Sequence, residues 1–155
     1  MIRTSSMDTF KRSISTRIGK IEYTLEDVFY FKNGLLGFSD LRNFIVTKPP
    51  CDNVPEEYMC LQSMEQEDLT LIIADAAVGH GGEQIINAID LKEHLQDRHL
   101  EFEDIAVFLI ATTDQDAGKK YICVNTRAPI IIAPNHKEGW QVVLESDAYE
   151  VSYCL

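Results

Sequence analysis

Short runs of alternating or β-branched apolar residues, separated by turn signals, recur along the chain from Arg17 onward. An alternation of period two is typical of half-buried strands, whereas helices repeat their apolar positions every three or four residues. The pattern predicts nine short strands, over residues 18–24, 28–31, 43–47, 58–63, 69–74, 105–112, 121–125, 129–133 and 140–144. With little helix between them, these strands predict a mainly β fold, a small antiparallel barrel or sandwich-like single domain.

One segment departs from the strand pattern. Residues 90–100 place Leu91, Leu95 and Leu100 on one helical face, with polar residues opposite. Asp90 is followed three residues later by Glu93, which is the spacing of a capping box with Asp90 as the N-cap. The sequence therefore predicts one short helix that begins at Asp90.

Size and charge narrow the class of protein. The chain has 155 residues, 45% of them apolar, and 14 basic against 25 acidic side chains give a net charge of −11. Residues 1–17 carry +3, so the remaining 138 residues carry −14. This balance disfavours direct binding to a nucleic-acid backbone and favours a basic protein partner. The sequence contains no run of 18 apolar residues, so it predicts no membrane-spanning helix.

The first residues are rich in Ser and Thr and lack alternation. We therefore predict a flexible N-terminal extension over residues 1–16 and a β domain over 17–155. The opening stretch also lacks the continuous apolar segment of a secretory signal, which favours a cytoplasmic location.

Candidate chemistry is sparse. The four cysteines, at positions 51, 60, 123 and 154, form no CxxC pair, and Cys60 and Cys123 lie in apolar runs where a free thiol behaves as a small core residue. The sequence contains neither GxSxG nor HExxH. We therefore predict no catalytic centre, no metal site and no cofactor. The alternative is a small-ligand-binding or enzymatic β-barrel, with Gln62, Thr70 and Asn125 as the inward polar candidates.

An acidic cluster follows the last predicted strand. Glu145, Asp147 and Glu150 are either a solvated face or a patch that attracts a basic partner, and composition does not separate these two interpretations.

Three blocks of sequence carry a resemblance to a known family. The first is the strand and turn at 31–38, Phe-Lys-Asn-Gly-Leu-Leu-Gly-Phe; the second is Leu61-Gln-Ser; the third is 125–132, Asn-Thr-Arg-Ala-Pro-Ile-Ile-Ile, followed by 141–144 and Tyr149. Their order and spacing resemble the flagellar assembly factor FliW family of bacteria from about Arg17 to the C-terminus. The segment at 75–82 and the last three residues depart from the family pattern.

The resemblance implies a non-enzymatic β-barrel protein with two partners. Proteins of this kind bind CsrA, a small basic RNA-binding repressor of flagellin translation, and also bind flagellin. The implied function is to antagonise the repressor when flagellin is scarce and to be titrated away when flagellin accumulates. The residues predicted to bind a partner are Glu145, Asp147, Tyr149, Glu150 and Phe38.

The remaining motif residues are predicted to be mainly structural, with direct partner contact as the alternative; they are Asn33, Gly34, Gly37, Leu61, Gln62, Ser63, Asn125, Ala128, Pro129 and Gln141. Asn33-Gly34 predicts a tight turn, Gly37 a backbone conformation closed to other residues, and Phe38 an anchor of that turn to the core. Pro129 has no N–H and is expected to begin a strand or lie on an edge.

Overall fold

The computed structural model of the chain describes residues 10–76 and 85–155. Eleven strands are present there: Arg12–Thr16 (β1), Gly19–Tyr23 (β2), Val28–Tyr30 (β3), Asn43–Thr47 (β4), Tyr58–Ser63 (β5), Thr70–Asp75 (β6), Ala106–Asp116 (β7), Lys119–Val124 (β8), Ile130–Ala133 (β9), Glu138–Gln141 (β10) and Tyr153–Cys154 (β11). One α-helix, Ala88–Gln96 (α1), joins β6 to β7 in the described ranges. The prediction of a mainly β fold with one short helix is confirmed.

Seven strands close into a barrel in the order β7-β6-β5-β4-β3-β10-β9, with β9 returning to β7. The pairs are antiparallel except for β3 and β10, which lie parallel and meet at the single pair Tyr30 and Glu138. Closure pairs most strand edges within the ring, which limits pairing with other chains, although β10 is paired to β3 only at Glu138.

Strand β7 belongs to two structures. Its first residues, 106–108, pair with β9 and complete the barrel, whereas residues 111–116 pair with β8. Strand β8 in turn pairs with β11, so a three-stranded ribbon extends from the ring.

A separate hairpin precedes the barrel. Strands β1 and β2 pair from Arg12 with Tyr23 to Thr16 with Gly19. This corrects the expectation of an extension through residue 16, because residues 12–16 are a strand. Ile14 is the only apolar side chain in β1. The strand is therefore held by backbone pairing, and its sequence shows no alternation that could predict it. Residues 1–9 lie outside the described residues.

Two apolar clusters fill the fold. Phe31, Phe44, Leu61, Ile73 and Ile130 are completely buried members of the cluster inside the barrel. The rings of Phe31 and Phe44 meet edge to face with centroids 5.0 Å apart.

Helix α1 covers the outer face of the barrel. Its Leu91 and Leu95 are buried, as predicted, against a second cluster that includes Leu109, Ile131 and Trp140. Ile130 faces the inner cluster and Ile131 the outer one, which is the alternation expected of a strand covered on both sides.

The start of α1 corrects one prediction. The N-cap is Asn87, whose side-chain oxygen accepts a hydrogen bond from the Ile89 N–H at 3.0 Å. Asp90 lies inside the first turn. Asn is as good an N-cap as Asp, and Asn87, three residues before Asp90, begins the helix that buries Leu91.

The cysteines also differ from expectation in one respect. Cys60 is a completely buried free thiol, as predicted. Cys123, expected to be a free core residue, is bonded to Cys154, because β11 pairs with β8 and places Cys154 directly opposite Cys123. Strand β11 has only two residues, so the sequence carried no pattern from which this pairing follows.

Candidate partner-binding surface

The first motif block forms a compact turn. Gly34 has φ of +64° and Gly37 of +84°, so both take the left-handed conformation that glycine allows, as predicted for Gly37. The N–H groups of Leu35 and Phe38 each donate to the other residue's carbonyl, at 3.3 and 2.8 Å. Leu35 is 4% exposed and Phe38 is 38% exposed. The turn is therefore anchored by Leu35, and the prediction that Phe38 pins it is corrected because the paired turn directs Leu35 inward instead.

Gln141 joins the first motif block to the third. Its side-chain oxygen accepts a hydrogen bond from the Leu36 N–H at 2.9 Å, and its amide nitrogen donates to the Ala128 carbonyl at 3.0 Å. Asn125 holds the chain just before that carbonyl, since its side-chain oxygen accepts from the N–H groups of Arg127 and Ala128, both at 3.0 Å. Three residues that are distant in sequence thus form one structural junction.

Pro129 comes directly before β9 and is buried. Its carbonyl accepts a hydrogen bond from the Val142 N–H at 3.1 Å. This agrees with the prediction that a residue without an N–H begins a strand.

The second motif block builds the acidic hairpin turn. The Ser63 hydroxyl accepts hydrogen bonds from the N–H groups of Glu65 and Gln66, at 3.1 and 2.9 Å. Leu61 belongs to the inner cluster. These residues shape the turn and the core rather than a surface.

The polar candidates of the ligand-binding alternative are all used by the protein itself. Gln62 and Thr70 are buried and hydrogen-bonded to each other, and the Gln62 amide also donates to the Glu67 carbonyl at 3.1 Å. Asn125 is occupied by the junction described above. Among the described residues no buried side-chain nitrogen or oxygen is left without a hydrogen-bond partner. Gln62, Thr70 and Asn125 are therefore engaged in hydrogen bonds within the protein.

The C-terminal loop presents the acidic cluster. Glu145, Asp147 and Glu150 are exposed, whereas Tyr149 is only 6% exposed. Tyr149 therefore does not offer its side chain to a partner, which corrects its prediction as a binding residue. Burial of an apolar ring between polar neighbours fits the core better than the surface.

Backbone contacts hold this loop in place. The Arg127 guanidinium donates to the Tyr149 carbonyl from two nitrogens, at 3.1 and 2.9 Å. The Thr126 N–H and hydroxyl both donate to the Glu150 carbonyl, and the Glu150 N–H donates back to that hydroxyl at 2.7 Å. The carboxylates thus project from a fixed loop.

The hydroxyl of Tyr149 connects the loop to α1. It donates to the Asp90 carboxylate and accepts from the Asn87 N–H at 3.2 Å. Burial raises the pKa of Tyr149 above its usual value of 10.0, and the hydrogen bond to Asp90 raises it further. The contact brings the acidic loop beside the exposed carboxylate in the first turn of the helix. We call this the acidic face, defined by Asp90, Glu145, Asp147 and Glu150.

Sequence reasoning found the three loop carboxylates but missed Asp90 as their neighbour, together with Arg127 and Thr126 as the residues that fix the loop. Only the Tyr at 149, apolar and isolated among acids, gave any signal that the loop folds back onto the core. Of the segment at 75–82, all but Asp75 and Ala76 lies outside the described residues.

Two features are absent from the described residues. Residues 10–76 and 85–155 contain no group of three His, Cys, Asp or Glu side chains placed to hold a metal ion. In the same ranges no helix has the length and apolar character needed to cross a membrane.

The fold and the site define a class: a small acidic β-barrel domain whose motif residues build turns and junctions and whose surface presents fixed carboxylates. The family model of the FliW protein matches residues 12–155. The chain therefore belongs to the FliW family.

Its relatives agree with that membership. A flagellar assembly factor FliW of Clostridium botulinum (strain 657 / Type Ba4) is 39% identical over 144 residues, which cover 88% of this chain and 91% of the relative. Another, from Clostridium botulinum (strain Hall / ATCC 3502 / NCTC 13319 / Type A), is 38% identical over 141 residues, covering 88% and 91%. A crystal structure of the flagellar assembly factor FliW, 21% identical, shares the fold with a TM-score of 0.69 over 92% of this chain and 96% of that one.

Proposed function

We propose that this protein is a cytoplasmic flagellar assembly factor that binds the translational repressor CsrA through the acidic face, and that it also binds flagellin. The single observation that supports this proposal most is the acidic face itself. It sets exposed carboxylates from the C-terminal loop beside Asp90 of α1, on a backbone fixed by Arg127 and Thr126.

A basic partner suits this surface for a physical reason. The chain carries a net charge of −11. Opposite fields accelerate encounter and fix the orientation of two proteins as they meet. Carboxylates on a fixed loop also lose little conformational freedom when a partner binds, so more of the interaction energy is retained in the complex.

Antagonism of the repressor follows from occupation of its surface. The protein either covers the RNA-binding surface of CsrA or binds elsewhere on it and alters that surface. These two modes differ in one measurement: rising RNA concentrations prevent complex formation completely only in the first mode, whereas in the second mode they weaken it to a fixed limit. Flagellin then competes for this protein and releases the repressor, which couples flagellin translation to flagellin supply.

The experiment is stopped-flow association with purified CsrA across a salt series. We expect the triple variant Glu145→Lys, Asp147→Lys, Glu150→Lys to associate at least about tenfold more slowly than wild type at low salt, because charges at an interface act mainly on the association rate. Raising the salt from 0.1 to 1 M, which shortens the Debye length from about 10 to about 3 Å, should slow wild type towards the variant.

A matched control separates position from total charge. The variant Glu22→Lys, Asp52→Lys, Glu67→Lys reverses three exposed carboxylates away from the acidic face and changes the net charge equally. We expect it to associate much faster than the first variant. Equal rates for the two variants would show that the acidic face is not the interface, and the absence of any complex with CsrA or flagellin would refute the proposed function.

A further inference from the structure

A second surface lies at the C-terminal end of α1, whereas Asp90 of the acidic face lies in the first turn of that helix. A cavity of about 780 Å³ opens between the turn at 33–39, the C-terminal end of α1 and residues 141–143. We call it the Arg98 groove, and the residues that matter to the argument are Leu36, Asp97, Arg98, Trp140, Gln141 and Val143.

Arg98 is held in the groove by an aromatic ring. Its guanidinium carbon lies 3.8 Å from the centroid of the Trp140 ring, and that ring is only 8% exposed. No hydrogen bond or ion pair joins the Arg98 side chain to any other residue within 10–76 and 85–155. A guanidinium stacked on an indole keeps its N–H groups available at its edge, where they match a carboxylate in a two-point contact. Arg98 is therefore a positioned cation with no anionic partner among the described residues.

The opposite wall of the groove is the end of β10 at Gln141 together with residues 142–144, whose hydrogen bonds continue the pairing pattern of that strand. The N–H groups of Val142 and Leu144 donate to the carbonyls of Pro129 and Arg127, at 3.1 and 2.7 Å. Since alternate residues of an antiparallel strand direct their backbone groups to opposite sides, Gln141 and Val143 direct theirs towards the groove.

That edge lacks a backbone partner in the described part of the chain. Strand β3 pairs with β10 only at Glu138, three residues earlier, and then turns away. The nearby Leu36 N–H is taken by the side chain of Gln141 and not by its backbone. An edge of this kind is the element to which an extended peptide adds as a further strand.

Apolar side chains flank the edge. Leu36 is 57% exposed and Val143 is 47% exposed, so each offers surface that an adjacent strand would cover. Successive side chains of an extended peptide point to opposite faces. Two apolar residues separated by one polar residue can therefore both contact Leu36 and Val143, while the polar residue points to the other face.

From this arrangement we propose that the Arg98 groove binds an extended peptide segment of a partner protein, with the peptide backbone pairing at Gln141 and Val143 and a peptide carboxylate held by Arg98. The charge of Arg98 selects an acidic segment, and the strand edge selects an extended conformation over a helix. Asp97 also lines the groove and opposes the incoming carboxylate, so it sets an upper limit to the affinity. The site is independent of CsrA and of the acidic face.

The test is an NMR titration of the isotope-labelled full chain with short peptides. The first peptide is acetyl-Thr-Val-Glu-Val-Thr-amide, the second has Gln in place of Glu, and the third is the Glu peptide methylated at the backbone nitrogens of both Val residues. We expect the Glu peptide to shift the amide signals of Leu36 and Val143 and to bind about tenfold more tightly than the Gln peptide, because a charge-assisted pair is stronger than a neutral one. The methylated peptide, which lacks ladder donors, should lose binding.

Variants assign the preference to Arg98. Arg98→Gln should bind both unmethylated peptides equally, Arg98→Lys should keep a reduced preference, and Asp97→Asn should bind the Glu peptide more tightly than wild type does. Lys92→Gln makes the same charge change on α1 outside the groove and should leave the preference intact. The proposal is overturned if no peptide shifts these signals at millimolar concentration, if wild type does not discriminate Glu from Gln, if Arg98→Gln still does, or if methylation has no effect. The acidic-face variants bear on none of these outcomes.

Discussion

The hydroxyl of Tyr149 donates a hydrogen bond to the carboxylate of Asp90, and by this contact the C-terminal loop is attached to the first turn of α1. The same oxygen accepts from the Asn87 N–H, directly at the N-cap of that helix. One phenol therefore stabilises the start of the helix and the position of the acidic loop together. The acidic face depends on this attachment for its geometry, although Tyr149 itself is not at the surface.

Replacing Tyr149 with Phe should separate the packing of its ring from the hydrogen bonds of its hydroxyl. The ring stays in the core while both hydrogen bonds are lost, so we expect unfolding free energy to fall by about 1–3 kcal/mol. Urea unfolding followed by circular dichroism measures the change. Tyr153→Phe is the control, because that ring is 40% exposed and should leave stability within about 0.5 kcal/mol of wild type. A variant Tyr149→Phe as stable as the control would show that the attachment contributes nothing.

Alkaline pH should weaken the fold through the same residue. Burial raises the pKa of Tyr149 above 10.0, so the folded state holds the phenolic proton more tightly than the unfolded state does. This contribution to stability is fully present below pH 10 and is lost as the pH rises through the folded-state pKa. Urea midpoints measured from pH 8 upward should decline less steeply in Tyr149→Phe than in wild type. Some decline should remain, because burial also raises the pKa of Tyr58 and that of Cys60; identical slopes would contradict the assignment to Tyr149.

Two glycines of the first motif turn should differ in their tolerance of alanine. Both have positive φ, which costs about 1–2 kcal/mol for a residue with a Cβ. A Cβ at Gly34 would also lie 2.2 Å from the Phe38 carbonyl oxygen, whereas one at Gly37 would meet nothing within 4 Å. We therefore expect Gly34→Ala to lower the melting temperature well beyond Gly37→Ala in thermal unfolding. Equal losses would mean that the backbone approach at Gly34 relaxes freely.

The four cysteines should fall into three reactivity classes. Cys51 is exposed, Cys60 is buried with its pKa raised to about 11 by desolvation, and Cys123 is bonded to Cys154. Since the thiolate is the reactive form, an alkylating reagent at pH 8 should label Cys51 alone in the oxidised native protein. Reduction should add the exposed Cys154, whereas Cys60 and Cys123 are both buried and should react only on unfolding. Mass spectrometry after proteolysis identifies each site, and Cys51→Ser should abolish the first label; rapid native labelling of Cys60 would contradict its placement in the core.

The sequence was informative where side chains alternate and where glycine or proline restricts the backbone. Strands β4 and β5 have the predicted bounds, because β-branched and aromatic residues mark their buried faces. The left-handed conformation of Gly37 followed from the turn pattern alone.

Contacts between distant segments could not be derived in this way. Strands β1 and β11 are defined by their partners β2 and β8 and carry no apolar pattern of their own. The hydroxyl of Tyr149 bonds to Asp90, 59 positions earlier, and the stacking of Arg98 on Trp140 joins a helix end to a strand. Such pairs are set by how the barrel closes, which no local window contains.

The single parallel contact between β3 and β10 determines when the barrel can close during synthesis. Tyr30 and Glu138 are 108 positions apart. Two hydrogen bonds stabilise this contact: the Tyr30 N–H donates to the Lys137 carbonyl at 2.9 Å, and the Lys137 ammonium donates to the Glu26 carbonyl at 2.6 Å. The strands from β3 to β6 are antiparallel neighbours along the chain and close only short loops. During synthesis these strands leave the ribosome before β7 to β10, so the ring is sealed only when Lys137 and Glu138 emerge. A nascent chain stalled before that point exposes both edges of the sheet.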